Sequence, residues 1–231
     1  MKNIFLCALL LGASTIFAQG PSVDGARAAN FLNTIDNQGA AFGSSSLIRN
    51  PSNSITGSVH LFDDWSNKGV AVISNDQKVA VNKLNINVQR NTVEARINTD
   101  SIFTFNLGKI DRVIIQNRTF KQVYFPIKES NRLLEIIGSS DDFVIYKDYE
   151  IDIKEGNPNP MRGAQKDRFI IRDQYYAQIG DTFKKFKLKK KTILKAVGAK
   201  ADEVEEFAKK NKFSFRKDED VARILQHYNA L

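Results

Sequence analysis

The stretch from Lys78 to Phe125 constrains the fold more than any other. Val81, Leu84, Ile86 and Val88 are set against polar neighbours, and Gln89 to Thr92 break the pattern. Val93, Ala95 and Ile97 alternate again before Asn98 to Ser101, and Phe103, Phe105 and Leu107 follow before Gly108. Val113–Ile115 and Val123–Phe125 then flank the turn-like Gln116 to Thr119. Alternation with a period of two puts every second side chain on one face of a pleated strand. Short runs divided by Asn, Asp, Gly and Ser predict an antiparallel meander.

The chain opens with Met1-Lys2-Asn3, an apolar run from Ile4 to Leu11, and small residues ending at Phe17-Ala18-Gln19. A positive start, a short apolar core and a small residue at a cut site predict a secretory signal peptide over 1–18, cleaved after Ala18. The run is shorter than the roughly 20 residues that span a bilayer. Cys7 is the one cysteine and leaves with the signal, so the mature chain is expected to carry no internal disulfide. No transmembrane segment is expected in the mature chain, which is placed in a periplasm or outside the cell. The net charge of +8 falls by one when Lys2 is removed. That balance favours an anionic envelope component or an acidic partner protein, and for an exported chain it does not point to nucleic acid.

Residues 19–57 are rich in Gly, Ala, Ser and Asn and read as an extended, mobile lead-in, with a short helix around Ala26–Leu32. Residues 58–188 read as an antiparallel β domain. Its further strands are Val59–Phe62, Val70–Ile73, Leu133–Ile137 and Phe143–Ile153, followed by a hairpin of Phe169–Ile171 and Tyr175–Ile179 across Arg172 to Gln174, and then Phe183–Leu188. Phe143, Ile145, Lys147, Tyr149, Ile151 and Ile153 share one face, and Lys147 reads as the point where that strand passes beyond the core. The two prolines in Lys154–Ala164 predict a loop. From about Lys189 the period lengthens, and residues 189–231 read as a small, basic helical subdomain of three short helices. Ile193, Leu194 and Val197 line the first, which ends at Gly198. Asp202 with Glu205 forms a capping box for the second, and Asp218 or Asp220 starts the third, with Val221, Ile224, Leu225, Tyr228 and Leu231 facing inward. The fold class is therefore mainly β, α+β overall: a curved antiparallel meander with a C-terminal helical subdomain.

The segments LNINVQRNTVEARI and DSIFTFNL, with the tail from Lys189 to Leu231, resemble a group of uncharacterised exported proteins of Bacteroidota. These share an Asn-x-Asn strand, here Asn85-Ile86-Asn87, a Lys-rich helix, and a final helix ending in Tyr-Asn. The resemblance implies an exported β-rich fold with C-terminal helices. It implies no catalytic residue.

Chemistry-bearing motifs are sparse. The two histidines, His60 and His227, sit in no metal-ligand spacing, and no cysteine cluster exists, so no metal and no cofactor is expected. His60 with Asp63 and Asp64 is a local group that reads better as a strand end with turn-forming aspartates. Asp141-Asp142 lacks the oxygen-ligand spacing of a calcium loop. Glu94, Glu129 and Glu135 read as outward strand residues, and Asn117-Arg118-Thr119 as a hairpin turn. No phosphate loop and no nucleophile elbow is present, and no catalytic residue is assigned.

Two surfaces remain. Lys184, Lys185, Lys187, Lys189, Lys190 and Lys191, interleaved with Phe183, Phe186 and Leu188, form a candidate anionic-contact surface, against which stands a solvated edge strand guarded by lysines. Phe103, Phe105 and Val113 form a candidate apolar-ligand face. The reading is a non-catalytic exported envelope or secreted binding protein. The alternative is a periplasmic carrier of an acyl lipid or lipoprotein. A cavity lined by those three side chains would favour the carrier, and a filled interior the binding module.

Overall fold

A computed structural model describes residues 43–47, 55–73, 78–157 and 166–231. The expected signal peptide, its cleavage site, the short helix around residues 26–32 and most of the loop 154–164 lie outside the described residues. The described chain is mostly β, with helices at the C-terminus, and so is mainly β within α+β.

Among the described residues thirteen strands form two sheets. β1 (Gly43–Leu47), β5 (Leu84–Asn87), β6 (Thr92–Arg96) and β7 (Ser101–Phe105) make a small sheet in the order β1-β7-β6-β5. The large sheet runs β13-β12-β11-β10-β9-β8-β3-β4. Its members are β3 (Lys68–Ile73), β4 (Lys78–Asn82), β8 (Ile110–Ile115), β9 (Arg118–Phe125), β10 (Ser130–Ser139), β11 (Val144–Lys154), β12 (Asp167–Ile179) and β13 (Thr182–Phe186). The two-residue β2 (Ile55–Thr56) pairs in parallel with the start of β12. The meander expectation holds for β8 to β13, where each strand pairs with the next. It fails as one sheet. At Lys83, with φ 56°, the chain leaves the large sheet, and it returns at β8 through a 3-10 turn, Leu107–Lys109. Alternation fixes which side chains share a face of a strand, but it carries no information on which sheet the strand joins.

Three further expectations are corrected. Part of the lead-in is strand: β1 pairs β7 from Gly43↔Phe105 to Leu47↔Ser101, and β2 pairs β12. Val59–Phe62 is an irregular segment beside the edge strand β5, joined to it by one bridge, His60↔Asn87, with Leu61 N–H donating to Ile86 O and Val88 N–H to Val59 O, each at 2.9 Å. The hairpin at Arg172–Gln174 does not exist. β12 runs straight through it, paired with β11 from Lys154↔Arg168 to Val144↔Gln178, and turns only at Gly180, with φ 55°. Short polar side chains favour turns, but a partner strand along the whole length supplies the backbone bonds a turn would have offered.

The buried Asn85 explains one half of the Asn-x-Asn strand. Its Oδ1 accepts from Phe62 N at 3.1 Å and its Nδ2 donates to Phe62 O at 2.9 Å, pinning the adjoining segment. All four residues of β5 are therefore buried, including both asparagines.

One face of the large sheet carries two cores. At one end Val113, Ile115, Phe120 and Leu133 pack against Leu84, Ile86, Val93, Phe103 and Phe105 of the small sheet. At the other end Ile137, Phe143, Ile145, Ala177 and Phe186 pack under α1 (Lys190–Val197), α2 (Ala201–Lys210) and α3 (Asp218–Tyr228) through Ile193, Val204, Ile224 and Leu225. α3 lies so close to β10 that a Cβ on Gly138 would stand 2.6 Å from Leu225 Cδ1. The capping box does not form, since Lys200 precedes α2 without a side-chain bond and Glu205 pairs with Lys190 at 2.5 Å. The opposite face is curled: Phe125 of β9 meets Tyr176 of β12 at 4.8 Å and Phe183 of β13 at 5.2 Å, although β9 and β13 lie four strands apart.

Close packing between the sheets generates a test. A Cβ on Gly69 would lie 2.5 Å from Leu84 Cδ1 and 2.8 Å from Ile114 O. Gly69→Ala is expected to lower stability by about 1–3 kcal/mol, read by urea denaturation. An unchanged midpoint would show that the two sheets can separate at no cost.

Candidate functional site

The charged centre of the molecule lies in the seam between the two cores. The register aligns Val113, Phe120, Glu135, Lys147, Tyr175 and Phe186 in one cross-strand row over β8 to β13. The row is apolar at both ends and ionic in the middle. Glu135 is buried at 4% exposure, so it is not an outward strand residue. Arg118 holds it with a two-pronged contact, Nε to Oε1 at 2.7 Å and Nη2 to Oε2 at 2.8 Å. The Tyr149 hydroxyl accepts from Arg118 Nη2 at 2.6 Å and donates to Glu135 Oε2 at 2.5 Å. The Arg118 guanidinium also lies 5.1 Å from the Phe62 ring, 5.3 Å from Phe120 and 5.6 Å from Tyr149. Arg118 belongs to β9 itself. The turn before it is the two-residue Gln116-Asn117, both at positive φ, the form that fits the twist of a hairpin.

Lys147 does not mark where β11 leaves the core, because Tyr149 and Ile151 beyond it pack against the first core. It marks the gap between the cores. Its Nζ lies 2.9 Å from Asp218 Oδ2 and 3.3 Å from Asp173 Oδ2. The Tyr175 hydroxyl donates to Asp218 Oδ1 at 2.8 Å. Asp218 is the first residue of α3, where a negative charge also meets the positive end of the helix. The network thus ties the helical cap to the sheet.

Above this network an open cleft of about 390 Å³ is lined by Leu61, Asn117, Ile137, Glu219 and Ala222, with Arg118, Glu135, Lys147, Tyr149 and Asp218 on its walls. A second recess of the same volume lies against Asp218 and Glu219, lined also by Tyr175, Arg216 and Lys217.

The network fixes protonation. Burial opposes the Lys147 ammonium, but the hydrogen bond to Asp218 and the surrounding charge overcome it, and the pKa stands above the ordinary lysine value. Burial raises the Tyr149 phenol, and the Glu135 carboxylate raises it further. Burial and the bond to Asp218 push Tyr175 up to about 12. Burial also opposes the Arg118 cation, and Glu135 more than restores it.

The small sheet holds a second polar group. Glu94 is also buried, at 1% exposure, and is not outward. Oε2 lies 2.9 Å from His60 Nε2, and Oε1 accepts from Asn87 Nδ2 at 3.1 Å and Thr92 Oγ1 at 3.2 Å. Burial acts to raise the Glu94 pKa, but these partners outweigh it and hold it low. His60 is therefore brought to Glu94 and not to the aspartates, one of which, Asp64, accepts from Ser66 N and Oγ. Asp142 accepts from the Tyr228 hydroxyl at 2.6 Å. Glu129 is exposed, in a left-handed turn. Among the described residues no group of three or more acidic, His or Cys side chains is placed to hold a metal ion.

The six lysines from Lys184 to Lys191 are all exposed. β13 is an edge strand, and Lys184 and Lys185 are successive in it, opposite Ala177 and Tyr176, so they point to opposite faces. Lys190 is committed to Glu205. Phe103, Phe105 and Val113 are buried within the first core, the two rings 5.0 Å apart, edge to face. Neither recess above is lined by them.

Sequence reasoning puts Arg118 in a hairpin turn and Tyr149 on a strand face, and gives neither a role in a site. The available signal was phase: Glu135 and Lys147 occupy positions where alternation calls for an apolar residue. Comparison with protein-family models, curated proteins and solved structures finds no match. Among the described residues no helix is long and apolar enough to cross a membrane.

Removing one partner of a buried pair strands the other. Glu135→Gln is expected to cost about 3 kcal/mol, near the low end because Arg118 is partly exposed, while the double variant Arg118→Met/Glu135→Leu recovers most of the loss. Denaturant midpoints of the three proteins decide it, and an additive loss in the double variant would refute the pairing. The phenols supply a second test. A phenol raised on folding contributes stability below its unfolded pKa and loses it as pH climbs through the folded value. For Tyr175 that window runs from 10.0 to about 12. Five of the six tyrosines, all but Tyr124, are raised. Absorbance titration at alkaline pH is expected to show most phenols ionising late and together with loss of the fold. Six phenols ionising near their ordinary value in a folded chain would contradict the network.

Proposed function

We propose that this is a non-catalytic, exported binding protein of the envelope or the exterior, and that it contacts its ligand or partner through the cleft above Arg118, Glu135, Lys147 and Tyr149. The observation that carries the reading is geometric: a preformed cleft whose polar walls are held in place by the Arg118–Glu135–Tyr149 and Lys147–Asp218 contacts. Lys147 stays an ammonium and Tyr149 a phenol at neutral pH, so neither serves as a base or nucleophile, which needs the deprotonated form. The same groups are suited to recognition, since they offer fixed donors and charge in a preformed recess within the size range of small-molecule sites. Export is supported by the signal-like start of the sequence, and the likeness to exported Bacteroidota proteins agrees with it. The exposed lysines of β13 and the link to α1 supply a supporting attraction for an anionic envelope component.

The carrier alternative draws no support from Phe103, Phe105 and Val113, whose side chains are taken up by core packing. Native mass spectrometry of the protein purified from the envelope of cells that make it tests both readings. The expected outcome is a bound molecule or partner on the wild type that is absent from Ala222→Trp, in which the indole fills the cleft. A molecule retained equally by both proteins would move the contact elsewhere. An acyl lipid released only on unfolding, from both, would restore the carrier.

A further inference from the structure

The net charge of the chain is unevenly placed, and the cleft does not use it. Residues 182–231, from the first residue of β13 onward, hold 14 Lys and Arg against seven Asp and Glu. Residues 19–181 hold 19 of each, so the whole net charge of +7 beyond the expected signal sits in the edge strand and the helical cap. It is densest from Lys184 to Lys200, where eight lysines occur with no acidic residue among them. Lys184, Lys185, Lys187, Lys189, Lys191 and Lys195 are exposed, and among the described residues they form no ion pair. The apolar residues between them point the other way: Phe186, Leu188, Ile193 and Val197 are buried in the second core. Lys184 and Lys185 flank the edge of the large sheet, and Lys191 and Lys195, four apart, share the side of α1 that faces away from Ile193. The next acidic residues in sequence, Asp202, Glu203, Glu205 and Glu206, belong to α2, and Glu205 is taken up by Lys190.

Lysines on an edge strand discourage pairing with other strands. That role needs them only on β13, yet the row continues through the link into α1, which has no sheet edge to guard. β13 and α1 run about 17 Å and about 12 Å, too long a row for one small anion, and neither recess is lined by these lysines. Twelve of the 14 cations are lysine. An ammonium is a compact, hydrated point charge on a flexible stem and suits a diffuse field, whereas paired recognition of one carboxylate or phosphate uses the arginine fork. Stems on the two flanks of an edge strand can also bring their charges to one plane. We infer that the lysine edge formed by β13, the link to α1 and the outer side of α1 is a docking surface for a bilayer that exposes anionic phospholipid headgroups. The contact is electrostatic and lies flat on the headgroups, because Phe186, Leu188, Ile193 and Val197 are committed to the core and are not available to enter the acyl layer. The inference names a partner for this surface and rests on the proposed placement of the protein in the envelope, not on the cleft.

Co-sedimentation with vesicles tests the surface. The mature chain is mixed with vesicles of phosphatidylcholine alone, or of phosphatidylcholine with phosphatidylglycerol, at low and at physiological salt. The expected result is binding to the anionic vesicles only, weakening steeply as salt screens it. Two double variants remove the same charge from opposite edges of the large sheet: Lys184→Gln/Lys187→Gln at the β13 edge, and Lys78→Gln/Lys83→Gln at the β4 edge. Loss of one lysine beside an anionic bilayer weakens binding roughly fivefold, so the first variant is expected to bind about twentyfold more weakly and the second nearly as the wild type. Circular dichroism confirms that both are folded. Ala222→Trp, which fills the cleft, is expected to bind the vesicles as the wild type does, so a failure here and a failure of the cleft reading are told apart. No binding to anionic vesicles at low salt, equal binding to neutral ones, or equal losses in the two double variants would overturn the proposal. Tighter binding to soluble poly-glutamate than to the vesicles would also overturn it and assign the surface to an acidic protein.

Discussion

The structure depends on a charged pair placed between two oily regions of one sheet face. Arg118 and Glu135 stand where the small sheet ends and the helical cap begins. An apolar side chain there would have to join one core or the other. The ion pair joins both, since Arg118 lies over Phe62 and Phe120 of the first core while Glu135 is flanked by Ile137 of the second. Burying such a pair stabilises only when its remaining bonding capacity is filled, and the Tyr149 hydroxyl fills it by accepting from one partner and donating to the other.

Lys147 extends the same logic to the helices. The sheet alone gives α3 an apolar bed at Ile137 and Ile145, which fixes depth but not position along the strands. The contacts from Lys147 and Tyr175 to Asp218 fix the first turn of α3 to one place on β11 and β12. Above that fixed turn a cleft remains with rigid walls. The arrangement that positions the cap also shapes the recess, so the candidate site and the architecture share their residues. The site is correspondingly poor in free chemistry: Arg118, Glu135, Lys147 and Asp218 are each paired with an opposite charge.

The small sheet solves a different problem. Its outer face would lie bare if β5 and β6 carried only alternating apolar residues. Asn85 and Glu94 instead bind the segment from Val59 to Trp65, which runs along the edge of β5, and Asn87 supports Glu94. A polar residue that reads as solvent-facing thus becomes buried because a neighbouring segment, and not solvent, completes its hydrogen bonds. The same segment brings Trp65 to Arg96.

The sequence by itself determined the class of the fold, the spacing of most strands and the change to helix near Lys189, where the last strand ends at Phe186 and α1 starts at Lys190. These are local properties: a period of two or of three and a half, broken by turn residues, is visible within ten residues of chain. Only the tertiary structure decided the division into two sheets, the unbroken course of β12 and the assembly of Arg118, Glu135, Lys147, Tyr149 and Asp218 from four separate elements. Alternation gives the phase of a side chain within its own strand. It does not give the register between strands, and it cannot tell a charged residue facing water from one facing an opposite charge 2.7 Å away.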